Sequence, residues 1–375
     1  MHLGVLTCEL KPTHGWARYS VDVLMALHRA GLTLTVLAPA TSPTDFPFRV
    51  LPILPEVVPA PRALTARMAL AIPRVASALR GMDVVHTMVE LYAPLAAAAS
   101  PRPQVLTAHG TYAALPRIAH PLARPLYRWA FGRAARIIAV SPYTQRVLLG
   151  AAPQARTVVI PNGGETAQLA QAVQAAEIGP KRGPMVLAVG AVKARKGTLE
   201  LVRAFDHVRK AYPDAHCIIA GTLTADLAYV ERVRQEIDRL GLSNHVSLTG
   251  RIPEERLFNL YRTADVFALP AMNDGPHFEG FGLVYLEASA AGLPVIGTRD
   301  CGAEAAIIAG ETGLLVSQER VEDELAEAII RLLGDDALRA RMGEAGRAYA
   351  LTQTWDAAVR PYLTVYRDVV QETHA

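Results

Sequence analysis

Cysteine is scarce in this chain. The 375 residues include only three, Cys8, Cys217 and Cys301, far apart and in no paired or zinc-binding spacing. That excludes a disulfide-stapled fold and a cysteine-built metal centre, and it fits core thiols in a reducing compartment. Charged residues are few as well, 19% against 51% hydrophobic, which excludes a highly charged disordered chain. A bilayer-spanning apolar run is also lacking, because the tract from Val84 to Ser100 is broken by Glu90 and Pro94. The apolar opening, Leu3 to Thr7, is too short for a signal core and reads as a first strand. A cytoplasmic protein is expected.

What is present is enough material for two buried cores, since 375 residues exceed one ordinary domain. The net charge of +3 is unevenly spread: residues 1–170 hold 16 Lys/Arg against 7 Asp/Glu, or +9, and the rest hold 22 against 28, or −6. A basic first half points to an anionic partner there, lipid or phosphate, or to arginines that simply solvate an alanine-rich fold.

Short β-rich runs alternate with helical patterns, the mark of a parallel α/β architecture. Strands are expected at Leu3–Cys8, Leu32–Pro39, Asp83–Thr87, Gln104–Gly110, Arg136–Ser141 and Thr157–Gly163. The series restarts at Met185–Val192, Ala215–Gly221, His245–Gly250, Asp265–Pro270 and Pro294–Thr298. Between the two series, AQLAQAVQAAEIGPKRG (167–183) reads as a linker. The expected division is therefore 1–166, a linker 167–183, a second domain 184–353, and a terminal helix 354–375. Open parallel sheets bind ligands at the carboxyl ends of their strands, so two facing sheets would form one cleft.

The richest segment is PHFEGFGLVYLEASAAGLPVIGT, Pro276 to Thr298, a glycine-punctuated loop running into a helix near Gly282. A helix amino terminus has unpaired N–H groups and the positive dipole end, and favours phosphate or sugar oxygens. Glu279 lies in the loop and Glu287 in the helix, with carboxylates on the order of 10 Å apart. That spacing suits the two ends of a nucleotide sugar. Taken alone, it reads sooner as an amphipathic helix with a capping acid and a solvated glutamate. A glycosidase carboxylate pair is disfavoured, because no groove aromatics accompany it.

GAVKARKG, Gly190 to Gly197, places Lys193, Arg195 and Lys196 between a strand and a helix, where a diphosphate would meet cations. It has neither Walker nor GxGxxG spacing, and taken alone it fits a solvated basic turn as well. In the first half, His109 ends the strand VLTA and precedes Gly110, a position for hydrogen bonding or proton exchange, or for a structural histidine. The loop THGWARYS (13–20) offers Gly15 for close approach and Arg18 as an anion contact, with Trp16 to pack or stack.

Taken together, these segments resemble the retaining glycosyltransferase family 4, of the GT-B fold, over nearly the whole chain. The resemblance rests on the Gly15 loop, His109–Gly110, SPYT at Ser141–Thr144, PNG at Pro161–Gly163, RKG at Arg195–Gly197 and, above all, EGFGLVYLE at Glu279–Glu287. It implies two facing Rossmann-like domains, an acceptor domain first and a donor domain second, with the terminal helix crossing back to the first. By this resemblance Glu279 holds the donor sugar and His109 contacts it. Glu287 binds the ribose diol, and the N–H groups of Phe281, Gly282 and Leu283 meet sugar or phosphate oxygens. Lys196 and Arg195 neutralise the diphosphate, and Arg251 and Ile252 frame the nucleobase.

Two departures stand out. Ala191 occupies a position where the family often has arginine, and the Gly15 loop has one glycine where a pair is frequent. The implied reaction moves a hexosyl group from a UDP- or GDP-sugar to an acceptor hydroxyl with retention, without metal or cofactor. A nucleotide-sugar epimerase and a silent sugar-nucleotide-binding protein are the alternatives. No nucleic-acid partner is expected. Arginines mixed with apolar residues at 61–80 and 117–136 point either to weak peripheral association with anionic membranes or to apolar faces that simply pack on the sheet.

Overall fold

Leu3–Leu6 is apolar at consecutive positions and Val84–Thr87 is buried at every position, so their strands are covered on both faces. A computed structural model describes residues 1–11, 15–57, 64–179, 181 and 183–374. The chain divides into two compact units, Met1–Asn162 with Trp355–Ala375, and Gly163–Thr354.

The first unit holds seven parallel strands: β1 (His2–Leu6), β2 (Thr33–Pro39), β3 (Arg49–Leu54), β4 (Val84–Thr87), β5 (Gln104–Ala108), β6 (Arg136–Ala139) and β7 (Thr157–Val159). Their order is β3-β2-β1-β4-β5-β6-β7. Leu3, Val5, Val84, Val85 and Ile137 are fully buried. The second unit has β8 (Met185–Val189), β9 (His216–Ala220), β10 (Val246–Gly250), β11 (Val266–Ala268), β12 (Val295–Thr298) and β13 (Gly313–Val316). Their order, β10-β9-β8-β11-β12-β13, repeats the pattern of the first sheet without its last strand. In each sheet the order reverses once, between β1 and β4 and between β8 and β11. Those reversals mark the crevices where such sheets bind ligands.

The expected strands all form. Sequence reading missed β3 and β13, and both lie at sheet edges. β3 carries Pro52, which an edge strand tolerates because one side of it has no ladder to complete.

The expected linker needs correction. Residues Thr166–Ala175 form a helix, with Ala170 and Val173 buried against the helices Glu254–Thr263, Leu283–Ala290 and Asp336–Thr352 of the second unit. Alanine and glutamine, read there as linker composition, are good helix formers, and alanine lets helices pack closely. Pro180 and Arg182 of that segment lie outside the described residues.

The terminal helix Trp355–His374 packs in the first unit. Trp355 Nε1 donates to Asp22 at 3.1 Å, the Tyr362 and Tyr19 hydroxyls are 2.8 Å apart, and Tyr366 bonds His86 Nδ1 at 2.7 Å. Trp355, Tyr362 and Tyr366 are among the largest fully buried side chains, each worth about 2–3 kcal/mol in apolar burial. Burial holds His86 down at about 3, so it bonds as a neutral ring. All three cysteines are buried free thiols, pushed up by burial to about 11 for Cys8 and Cys301 and about 12 for Cys217. They stay protonated and unreactive. Among the described residues, no helix is long and apolar enough to cross a membrane.

Candidate active site

In the second unit the cationic segment leaves the end of β8. Lys193 precedes a 3-10 turn, Ala194–Lys196, and Gly197 at φ 65° then starts the helix Thr198–Ala211. A side chain at Gly197 would fail twice: the left-handed backbone disfavours it, and its Cβ would lie 1.8 Å from the Pro270 carbonyl oxygen. The RKG spacing is thus a turn that delivers two cations and then a helix start.

The acidic segment leaves β11, the strand across the reversal from β8. Gly282 caps the helix Leu283–Ala290 at φ 82°, packed so closely on Tyr285 that a Cβ would sit 2.5 Å from the ring. The two segments meet at one atom. Arg195 Nη1 donates to Glu279 Oε2 at 2.8 Å, and Lys196 Nζ donates to the same oxygen at 2.5 Å. Glu279 is 8% exposed. Burial alone would raise its carboxyl, but the Lys196 and Arg195 charges and hydrogen bonds outweigh that and hold it at about 2. Lys193 stands in the same field, lowered to about 8 by burial and by the neighbouring Arg195 and Lys196. Three cations around one carboxylate leave a local excess of positive charge, set between the two strands that flank the crevice.

Glu287 lies on the helix Leu283–Ala290. It is half-buried, and its Oε2 accepts from the Tyr261 hydroxyl at 3.3 Å. Phe281 is buried, while Gly282 and Leu283 open the helix. Arg251 and Ile252 follow β10, exposed and half-buried respectively. All these residues therefore lie past the carboxyl ends of β8, β10 and β11.

In the first unit His109 follows β5. Its Nε2 lies 2.9 Å from the Met88 carbonyl oxygen. A carbonyl only accepts, so Nε2 carries the proton and Nδ1 is the acceptor. Burial lowers the ring to about 4, which keeps it neutral. The Tyr19 ring meets it edge-on, with centroids 4.2 Å apart. Trp16 packs on Tyr112, centroids 5.1 Å apart. Gly15 opens the helix Gly15–Arg29 with open space where a Cβ would stand, while Thr13 and His14 lie outside the described residues.

Two resemblance motifs turn out to be structural joints. Ser141 caps the helix Pro142–Ala151 by accepting from the Thr144 N–H, with Pro142 in the first turn. PNG spans the boundary at which the first unit ends, after Asn162.

Sequence reasoning missed two features. A 220 Å³ pocket past β1, β2 and β3 is lined by Cys8, Glu9, Lys11, Pro39, Thr41, Glu56 and Val57. Glu90, taken only as a break in an apolar tract, is fully buried with its Oε1 accepting the His109 N–H at 2.7 Å. An acid inside an apolar run was the available signal.

Residues 13–168 match the family described as Glycosyltransferase Family 4, and residues 170–349 match Glycosyl transferases group 1. The chain is 35% identical over 269 residues to the GDP-mannose-dependent alpha-(1-6)-phosphatidylinositol monomannoside mannosyltransferase of Mycolicibacterium smegmatis, covering 70% of this chain and 69% of that protein. It is 34% identical over 198 residues to the D-inositol 3-phosphate glycosyltransferase of Corynebacterium jeikeium, across 52% and 46% of the two chains. Among solved structures, the sucrose-phosphate synthase of Thermosynechococcus elongatus superposes with a TM-score of 0.76 at 23% identity, over 99% of both chains. Anabaena HepE, in complex with UDP and glucose, gives 0.75 at 21% identity over 96% of this chain and 99% of its own.

Proposed function

This chain belongs to the family 4 glycosyltransferases, with the GT-B fold, and from that premise we propose that it transfers a hexosyl group from a nucleotide diphosphate sugar to an acceptor hydroxyl with retention of anomeric configuration. The observation that carries this reading is the convergence of Arg195 and Lys196 on Glu279, with Lys193 beside them. A single carboxylate leaves these cations in excess, and a leaving diphosphate would supply the missing negative charge. As the glycosidic bond breaks, that charge grows on the diphosphate, and fixed cations beside a helix start stabilise it without reorganisation.

In this reading Glu279 holds the donor sugar's hydroxyls, and Glu287 takes the ribose diol. His109 contacts the transferred sugar as a neutral ring with Nδ1 as acceptor. Arg251 and Ile252 border the base. The phosphate charge is met by side chains, so neither metal nor cofactor is required. GDP-mannose is the first donor to test, because the M. smegmatis relative is named for it; UDP-sugars come next. The acceptor is a hydroxyl compound, and weak attachment to anionic membrane surfaces through the first unit would bring a lipid-linked one within reach.

The test is nucleotide release and product formation from GDP-mannose and a panel of UDP-sugars, with the product anomer assigned by NMR. Glu279→Gln should reduce transfer at saturating donor to background. Full turnover by that variant removes Glu279 from the reaction, and an inverted product overturns retention.

A further inference from the structure

Glu90 opens a 3-10 turn, Glu90–Tyr92, just past β4, and none of its surface is exposed. Oε1 accepts the His109 N–H at 2.7 Å. Oε2 has no hydrogen-bond partner among the described residues. The titratable groups that feel its charge are Tyr112 in the turn after β5 and Tyr127 on the helix Arg124–Arg133; the ring of His109, whose N–H it accepts, is neutral. None of these is a cation. Burial raises the Glu90 carboxyl to about 7, only partly offset by the backbone N–H groups.

A buried acid without a counter-ion is costly, and an apolar side chain of similar volume would serve the core better. What Glu90 does achieve is local. His109 is anchored twice to one short segment: its backbone N–H to Glu90, and its Nε2–H to the carbonyl of Met88, two residues earlier. This double tie joins the ends of β4 and β5, selects one tautomer, and turns Nδ1 into the acceptor. With the Tyr19 ring against it, the imidazole has little freedom left.

We propose that Glu90 is a positioning residue for His109, clamping the loop through which that ring meets the transferred sugar. Its oxygens are covered, so it acts through His109 and does not touch substrate. The proposal rests on the role given to His109 above. A carboxylate accepts a backbone N–H more strongly than a neutral acid does, so the clamp tightens as Glu90 ionises.

The test compares the full-length wild type with Glu90→Gln, Glu90→Leu and His109→Ala. Histidine-selective 15N NMR, with His109→Ala assigning the signal, should show a single Nε2–H tautomer in wild type and mixed or broadened signals in both Glu90 variants. With GDP-mannose or UDP-glucose, whichever wild type turns over, kcat should fall roughly tenfold to a hundredfold with donor KM nearly unchanged. The rising limb of the wild-type pH profile near 7 should disappear in Glu90→Gln.

Thermal stability should move the other way. Glu90→Gln removes the cost of a buried charge, so its Tm at pH 8 should match or exceed wild type, while at pH 5 the two converge. A merely structural glutamate would lose Tm and kcat together. Unchanged His109 signals with full kcat in Glu90→Gln overturn the proposal. Full turnover by His109→Ala instead sinks the role assigned to His109, and the NMR comparison then still decides whether Glu90 holds the ring.

Discussion

Lys196 Nζ lies 2.5 Å from Glu279 Oε2, the oxygen that also accepts from Arg195. Lys196 is therefore the counter-ion of a buried acid before any donor arrives, and its removal acts on both donor binding and the position of Glu279. Hydrogen bonds to charged groups contribute about 1.5–3 kcal/mol, so Lys196→Ala should weaken nucleoside diphosphate binding or turnover roughly tenfold or more. Calorimetric titration with GDP and UDP measures this. An unchanged dissociation constant with unchanged turnover places the diphosphate elsewhere.

If the cluster binds the diphosphate as proposed, Lys193 should give that binding a pH dependence. Burial and its two cationic neighbours lower its ammonium to about 8, so it is charged below that pH and neutral above it. A cation that helps hold the diphosphate is lost as pH rises, and kcat/KM, which reports the free enzyme, should fall through about pH 8. In Lys193→Met that alkaline limb should vanish. Identical profiles for the two proteins would remove Lys193 from donor recognition.

Ala191 stands where the resemblance leads one to expect arginine, and it lies two residues past the end of β8 and two residues before Lys193. Ala191→Arg should tighten GDP or UDP binding in wild type and restore part of the loss in Lys196→Ala. If neither titration moves, a side chain at position 191 does not reach the diphosphate.

The basic face of the first unit can be tested on lipid. Helices Leu64–Ala78 and Arg124–Arg133 both pack on Ala93–Ala99. Met68, Ala71 and Val75 turn inward, while Leu70 and Leu122 are 83% and 87% exposed and Trp129 is 46% exposed. Arg67, Arg74 and Arg128 are exposed beside them; residues 61–63 of the segment lie outside those described. Flotation with liposomes should recover more protein when anionic lipid is present, and Leu122→Asp with Trp129→Asp should abolish the difference. Equal recovery from neutral and anionic vesicles rules out a charge-dependent attachment.

The architecture was legible in the sequence because its signals are local. Consecutive apolar residues at Leu3–Leu6 and Val84–Val85 demand strands covered on both faces, and strand–helix alternation dictates parallel sheets. Glycines at 197 and 282 announced turns, and EGFGLVYLE placed Glu279 before a helix start. Two of the four edge strands, β3 and β13, were not legible, because they owe their conformation to a neighbouring strand more than to their own residues. The helix Thr166–Ala175 was misread for a similar reason, since its alanines become core only when other helices cover them.

At the site, the sequence by itself determined which residue types stand past which strands. It could not determine that Arg195 and Lys196 share one oxygen of Glu279, or that Glu287 turns instead to Tyr261. Nor could it show that Glu90, nineteen residues before His109, closes on its N–H. Those pairings join residues far apart in the chain, and only strand order brings them together. β8 lies beside β11, and β4 beside β5. Burial then sets the charge states, because desolvation depends on what surrounds a side chain in space and not on its neighbours in sequence.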